Sequence, residues 1–335
     1  MGLARLFMSH SVKASLVAET LRTTSPKSGI KPITAPNSPQ IPLRLGRDWR
    51  VMAATPVKLG NTRTTGKEQY YTPISVADEI VTNLESMVGS LKKRTIVEPA
   101  GGTGSFIIAA GKHGARNFVS YDIEPHHPQV TEGDFLKQRI SGAGHITVSN
   151  PPFGRNNALS IPFFNHAAES SDVIAFIVPR SWRKWSVQNR LDRRFHLIRD
   201  DDLNINYVDR NGELLSRKNL LRTCVQYWQR EETLRPLYKV QDMNLISRST
   251  PADADASLTV FGYGCGTLRT DFDRVPNTTQ MFITLNHPKV KKAFRSGDFS
   301  KFYNNTAYTE ALSLPEINYV LNEEIFGDPK LQLLD

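Results

Sequence analysis

Two short runs constrain this chain more than anything else in it. They are Glu98-Pro99-Ala100-Gly101-Gly102-Thr103-Gly104-Ser105-Phe106 and, opening fifty-two positions later, Asn150-Pro151-Pro152-Phe153-Gly154. Each follows a short apolar stretch. Thr95-Ile96-Val97 reads as a buried strand that breaks into a glycine-rich turn and then into the helix-compatible Ser105-Phe106-Ile107-Ile108-Ala109-Ala110. Glycines in such a turn let the backbone approach a nucleotide-like ligand closely. His145-Ile146-Thr147-Val148-Ser149 reads as a second strand. It ends in a rigid turn, because Pro151 and Pro152 can neither donate to a ladder nor continue a helix. Ligands of open α/β sheets gather at the carboxyl ends of the strands, so two substrates are expected to meet between these turns.

The rest of the pattern fits such a sheet. Thr72 is a candidate N-cap with Pro73 at the first helical position, and Val76, Ile80, Leu84 and Met87 recur at helical spacing. Strands are expected at 117–122, just before Gly133, at 172–178, 203–207 and 223–228, with a helix-compatible stretch at 161–170. Strands alternating with helical connections predict a doubly wound, mostly parallel α/β sheet with right-handed crossovers. Beyond about residue 235 the pattern weakens to Leu258-Thr259-Val260 and 280–285 around the loop Gly262-Tyr263-Gly264-Cys265-Gly266, which reads as a small β-rich appendage. The expected division is a basic, poorly ordered segment at 1–66, a catalytic domain at 67–235 and an appendage at 236–335 with a role in nucleic-acid recognition.

Charge is unevenly spread. Residues 1–66 hold ten basic side chains and two acidic ones, giving 10 − 2 = +8 of the net +9, so the remainder is nearly balanced. That segment is rich in Ser, Thr and Pro. Its first twenty residues, with Leu3, Leu6, Phe7, Leu16 and Val17 and little acid, suit either an organelle transit peptide or a basic tail that holds phosphates. Leu6 stands where a myristoylation signal needs Ser or Thr, and Trp49 is expected to pack on the core. Two cysteines, Cys224 and Cys265, match neither a disulfide framework nor a zinc spacing. No apolar run approaches the roughly 18 to 20 residues of a membrane span. The expectation is a soluble intracellular protein, cytoplasmic if bacterial or phage, with no membrane and no metal.

The side chains then suggest a reaction. A carboxylate after the second strand, Asp122 or Glu124, suits the vicinal hydroxyls of a ribose. Gly133-Asp134-Phe135-Leu136 offers a carboxylate and an aromatic to an adenine ring and its amine. The same groups would describe a nicotinamide site, but the loop lacks the Gly-x-Gly-x-x-Gly spacing and has Gly101, Gly102 and Gly104 with Phe106 behind them. The Asn-Pro-Pro-Phe run suits a planar amine, whose lone pair is delocalised and weakly nucleophilic. The Asn150 side-chain oxygen and the Pro151 carbonyl, held by the stiff Pro-Pro turn, could take its two hydrogens and leave the lone pair facing an electrophile. Phe153 could stack on the ring. The absence of a Pro-Cys pair argues against cytosine carbon-5 chemistry.

Over roughly 69–230 the chain resembles the S-adenosylmethionine-dependent adenine-N(6) DNA methyltransferases, specifically the gamma class, in which a target-recognition region follows the catalytic domain. Tyr71-Thr72-Pro73 resembles the segment that packs on the donor. Glu98, Pro99, Ala100, Gly102, Gly104 and Phe106 match the donor motif, Asp122 and Ile123 the ribose motif, Asp134 and Phe135 the adenine contact, and Asn150, Pro151, Pro152 and Phe153 the catalytic motif. Val178-Pro179-Arg180-Ser181-Trp182 and Cys224-Val225-Gln226-Tyr227-Trp228 are similar to later segments of viral and phage-type members. Phe153 stands where Tyr is commoner, and the stretch after 235 is short for a large recognition domain. The resemblance implies methyl transfer from S-adenosylmethionine to the exocyclic amine of adenine in DNA by base flipping. Alternatives are an RNA adenine or guanine amine, a glutamine amide, or a nucleic-acid-binding methyltransferase-like protein without activity.

Arg180, Trp182, Arg183, Lys184, Arg190, Arg193 and Arg194, with Arg155 beside the second turn, are the candidate nucleic-acid contacts. Between 180 and 199 a single acid, Asp192, interrupts the basic stretch. The same stretch equally reads as a solvated helix whose tryptophans pack inward. His126-His127 reads as a loop beside a proline, and Glu169, Asp172 and Asp200-Asp201-Asp202 as surface.

Overall fold

The computed structural model describes residues 70–214 and 221–334. The expectations for 1–66, including the helix over the first twenty residues and the packing of Trp49, lie outside the described residues.

Helix α1 (Ile74–Val88) leads into β1 (Thr95–Glu98), α2 (Ser105–Lys112), β2 (Asn117–Asp122), β3 (Thr131–Glu132) and β4 (His145–Ser149). Then come α3 (Ser160–Ala167), β5 (Ser171–Pro179), the one-turn α4 (Trp185–Gln188), β6 (Phe195–Leu203) and β7 (Thr223–Arg230). The order in the large sheet is β3-β2-β1-β4-β5-β7-β6, parallel except for β7, which runs antiparallel to both neighbours. This is a doubly wound, Rossmann-like α/β sheet with an antiparallel pair at one edge.

Alternation along the central strands builds a core on each face. Val173, Ala175 and Ile177 of β5 join Ile96, Val225 and Tyr227 against α1 and α2, while Ile174, Phe176 and Val178 join Val97 and Trp228 on the other side. The unbroken apolar run of β5 therefore reflects a strand buried on both faces. On the second face Phe164 meets Phe176, Trp182, Phe195 and Trp228 edge-on, with ring centroids 5.5–6.1 Å apart.

Two local expectations are corrected. Helix α1 begins at Ile74 after Pro73, and Thr72 supplies no cap; its carbonyl instead accepts a hydrogen bond from Ser105 Oγ at 2.7 Å. The strand expected at 203–207 lies upstream, at Phe195–Leu203, because its run of Arg199 and Asp200–Asp202 pairs with β7 despite its polarity.

Beyond β7, strand β8 (Leu237–Val240) precedes a four-stranded antiparallel sheet of β9 (Ile246–Arg248), β10 (Ala256–Phe261), β11 (Leu268–Arg269) and β12 (Thr279–Leu285), ordered β11-β10-β12-β9. The sheet shares a core with α5 (Val290–Ser296) and α7 (Leu314–Phe326), and α6 (Ser300–Tyr303) lies between those helices in sequence. The last strand, β13 (Leu331–Leu334), returns to pair with β8. Ser313 and Glu316 close a capping box at the start of α7.

Candidate functional site

Strand order reverses at β1: the chain runs outward through β2 and β3, then crosses back to lay β4 on the other side of β1. Carboxyl ends on either side of such a reversal diverge and leave a crevice. A cavity of about 230 Å³ occupies it, and the turns after β1 and β4 both line it.

The turn after β1 is folded around missing side chains. Gly102 has φ +45°, and a Cβ there would lie 2.7 Å from the Tyr71 ring; Gly104 has φ +75° at the cap of α2, with its space filled by His127. Tyr71 therefore lies directly over the turn. Its hydroxyl pKa is pushed up to about 12 by burial, then by the charges of Asp122 and Glu124. Of the twelve residues expected at the donor, eleven line the cavity; Gly104 does not, and acts through the backbone.

Glu98 is 2% exposed, and its Oε2 has no hydrogen-bond partner. Burial, reinforced by the negative charge of Asp122, pushes its carboxyl well above the usual range. Asp122 is also raised by burial, against the pull of two backbone amides that donate to it, Gly102 N–H to Oδ2 and Glu124 N–H to Oδ1, both at 2.8 Å. A carboxylate oxygen accepts more than one hydrogen bond, so Asp122 retains capacity for a diol. Ile123, 59% exposed, and buried Phe135 supply apolar surface, and Asp134 stands beside them, its Oδ1 accepting from Leu136 N–H.

These residues fit S-adenosylmethionine. The unpartnered Glu98 oxygen suits an ammonium group, the cradle at Gly102 admits close approach, and Asp122, Ile123 and Phe135 suit a ribose and a base. Among the described residues no group of three His, Cys, Asp or Glu side chains could hold a metal ion. His126 meets the Tyr71 ring edge-on and His127 fills the space at Gly104, which accounts for that pair.

At the second turn Asn150, Pro151, Pro152 and Phe153 all line the same cavity. Asn150 Nδ2 donates to the Tyr70 carbonyl at 2.9 Å, which fixes the amide plane, and Asn150 Oδ1 is left buried without a partner. Tyr70 is in turn part of a strap. Tyr71 exchanges two 3.1 Å backbone hydrogen bonds with Val208, and Ser105 Oγ holds the Thr72 carbonyl. Phe163, Leu159 and Phe135 complete an apolar wall beside Phe153. Tyr70, Leu159 and Phe163 are absent from the motifs, and Ser105 lies in the first run without being among its expected site residues; the anchor at Tyr70 is a backbone carbonyl, which side-chain patterns do not reveal.

The basic stretch is a correction. Trp182 is fully buried and donates to Ser160 Oγ at 3.2 Å, so it cannot meet a nucleic acid. Arg183 makes a two-pronged pair with Asp200 and reaches Asp202 at 2.7 Å, while Arg180 reaches Asp202 at 3.1 Å. Lys184 pairs at 2.7 Å with Glu316, which is 1% exposed. Arg193 donates to the Arg235 carbonyl and Arg194 pairs with Asp192. Arg180, Arg183 and Lys184 are thus held in ion pairs within the fold, whereas the pair of Arg194 lies at the surface, and Asp200 is a structural partner rather than a free surface acid. Arg155 and Arg190 are exposed.

No protein-family model matches the chain, and no curated protein does. Among solved structures it is similar to a Pyrococcus horikoshii protein proposed as an RNA methyltransferase, with 20% identity over 51% of this chain and 91% of that one at a TM-score of 0.41. It is similar also to a Listeria monocytogenes protein proposed as a class I S-adenosylmethionine-dependent methyltransferase, with 14% identity over 49% and 62% of the two chains at a TM-score of 0.38. A third is the M protein of the type I restriction enzyme EcoKI, with 17% identity over 49% and 44% at 0.39. At such identities and scores the likeness assigns neither a substrate nor a reaction to this chain.

Proposed function

We propose that the protein transfers a methyl group from S-adenosylmethionine to the exocyclic amine of adenine in DNA. The observation that carries this is the Asn150 side chain, tied through Nδ2 to the Tyr70 carbonyl, with Oδ1 buried and unpartnered, in a residue that lines the same cavity as Glu98 and Asp122. A buried acceptor without a donor costs about 1–3 kcal/mol, which an incoming N–H group would offset.

Bound in the crevice, S-adenosylmethionine would supply an electrophilic methyl group. Glu98 would hold the donor's ammonium, Asp122 its ribose hydroxyls, and Ile123, Asp134 and Phe135 its adenine. Asn150 Oδ1 and the Pro151 carbonyl would accept the two amine hydrogens and direct the nitrogen lone pair at the methyl. Phe153, with Phe163 and Leu159, would take the face of the target ring, and that apolar wall favours a flat heterocycle over a glutamine amide. DNA is favoured over RNA by the resemblance of the motifs to the gamma class. Within this reading, residues 67–235 are catalytic, 236–335 contribute recognition, and exposed Arg155 and Arg190 contact the target strand.

The test is transfer of labelled methyl from S-adenosylmethionine to duplex DNA, single-stranded DNA and RNA in parallel, followed by digestion to nucleosides and mass identification. Methyladenine is expected in DNA, with turnover by Asn150→Ala reduced about 10²–10³-fold or more while donor binding persists. Undiminished turnover in the variant would overturn the role of Asn150, and label confined to RNA would move the substrate.

A further inference from the structure

The lobe built on β9 to β12 carries a second cavity, which shares no residue with the first. It is an open groove of about 690 Å³ between the β10–β11 loop and α5, with Arg269, Lys291, Arg295 and Tyr303 among its walls. Helix α5 is divided sharply. Val290, Ala293 and Phe294 are buried in the lobe's core, and the Phe294 ring stacks on Phe299 with centroids 5.5 Å apart. Lys289 just ahead of the helix, with Lys291, Lys292 and Arg295 within it, are all exposed. Among the described residues, none of these four cations is in an ion pair. Of the acids nearby, Asp271 is paired with Arg269, while Asp298 and Glu324 accept hydrogen bonds from Ser300 and Ser296 and form no ion pair with any of the four.

This is the reverse of the basic stretch at 180–199, where arginines and lysine are consumed by Asp192, Asp200, Asp202 and Glu316. Four cations outside any ion pair, within the seven residues from Lys289 to Arg295, span about 9 Å at helical rise, long enough to meet two or three successive phosphates of one strand. A lipid surface fits less well, because an interfacial helix needs an apolar face turned outward, and the apolar side of α5 is spent on its own core.

We infer that the outward face of α5, with the groove beside it, holds the phosphodiester backbone of the DNA whose adenine enters the pocket at Asn150. This rests on the reading of DNA as the substrate. Positioning of the strand by this lobe is electrostatic and independent of sequence.

The experiment is a salt titration of duplex DNA binding by the full chain, read by fluorescence anisotropy. It compares wild type with the combined Lys289→Gln, Lys291→Gln, Lys292→Gln and Arg295→Gln variant. A control carries Lys92→Gln and Lys93→Gln, two exposed lysines ahead of β1. Stabilisation by S-adenosylmethionine in thermal unfolding verifies that each variant is folded. The combined variant is expected to flatten the slope of log K against log salt by about 2 to 4 and to weaken binding at low salt about tenfold or more, while the control matches wild type. A combined variant with the wild-type slope, or a control that loses as much per charge removed, would overturn the inference and leave the substrate reading standing. Wild type that binds no duplex at low salt would remove the DNA reading itself. Capture by anionic vesicles with no α5-dependent DNA binding would reassign the face to lipid.

Discussion

The crevice between β1 and β4 and the basic stretch at 180–199 are both dense in reactive side chains, yet the fold treats them in opposite ways. In the crevice, Thr72 Oγ1, Glu98 Oε2 and Asn150 Oδ1 are buried without partners. In the basic stretch, Arg183 is met by Asp200 and Asp202, Lys184 by Glu316, and Trp182 by Ser160. An unsatisfied buried polar atom costs about 1–3 kcal/mol, so a chain keeps several together where a ligand completes them. Satisfied charges belong to the fold. Unpartnered buried atoms also occur on β7, at Thr223, Gln226 and Trp228, outside the cavity, so the difference marks a site only where such atoms belong to residues that line one crevice together.

The largest effect should come from breaking the scaffold's charge pair. Lys184→Met leaves the Glu316 carboxylate buried and uncompensated, which should cost about 3–5 kcal/mol of stability, read as a fall in the denaturation midpoint. Adding Glu316→Met should recover most of that loss, less about 1 kcal/mol for the capping box at Ser313. DNA affinity per folded molecule should stay at the wild-type value. A double variant as unstable as the single one, or DNA affinity lost with Lys184, would erase the contrast between the two regions.

A smaller effect sharpens the other side of the comparison. Because burial holds the Glu98 carboxyl well above its ordinary pKa of about 4.3, the folded state binds its proton more tightly than the unfolded chain does. That contribution to stability is complete below the ordinary value and is lost as pH rises through the folded one. Glu98→Gln should therefore make the donor-free protein less sensitive to rising pH and more stable at the alkaline end. A cationic partner favours the ionised carboxyl, so S-adenosylmethionine should bind wild type with proton release and more tightly as pH rises. Glu98→Gln should lose that release and about tenfold in affinity, in line with roughly 1.5–3 kcal/mol for a hydrogen bond to a charged group. Calorimetry in two buffers of different ionisation enthalpy measures the proton directly; wild-type binding without release would separate Glu98 from the ammonium.

The parts of the molecule legible in the sequence are those with local causes. Strand β1, its glycine turn and α2 follow from an apolar run, three glycines and a helical period, and β4 with its Pro-Pro turn follows in the same way. Strand β6 is hidden because Arg199 and Asp200–Asp202 sit within it; Arg199 meets Asp201 nearby, but Asp200 and Asp202 are met by Arg183 and Arg180, which the local window does not contain. The basic stretch misleads for the same reason: Lys184 and Glu316 are 132 positions apart. The capping box at Ser313 and Glu316 is readable locally, but nothing nearby announces that Glu316 also neutralises Lys184. At the site itself the motif residues are visible, and what is missing is the Tyr70 carbonyl, a backbone atom 80 positions from the side chain it orients.

That strap gives the smallest prediction and the finest test of whether the two halves of the crevice act together. Ser105 Oγ holds the Thr72 carbonyl, Tyr71 is laced to Val208, and Tyr70 holds the Asn150 amide, so one short segment spans the donor turn and the amine turn. Ser105→Ala removes one neutral hydrogen bond, worth about 0.5–1.5 kcal/mol. If the strap transmits position, that loss should appear as a fall in kcat of about two- to tenfold, with S-adenosylmethionine affinity little changed, and Ser105→Thr should restore the rate. If the loss appears only as weaker donor binding, Ser105 belongs to the donor turn alone and Asn150 keeps its orientation without it. The split between kcat and donor affinity decides between these outcomes, because a general loss of stability would move both and would not be reversed by a second hydroxyl.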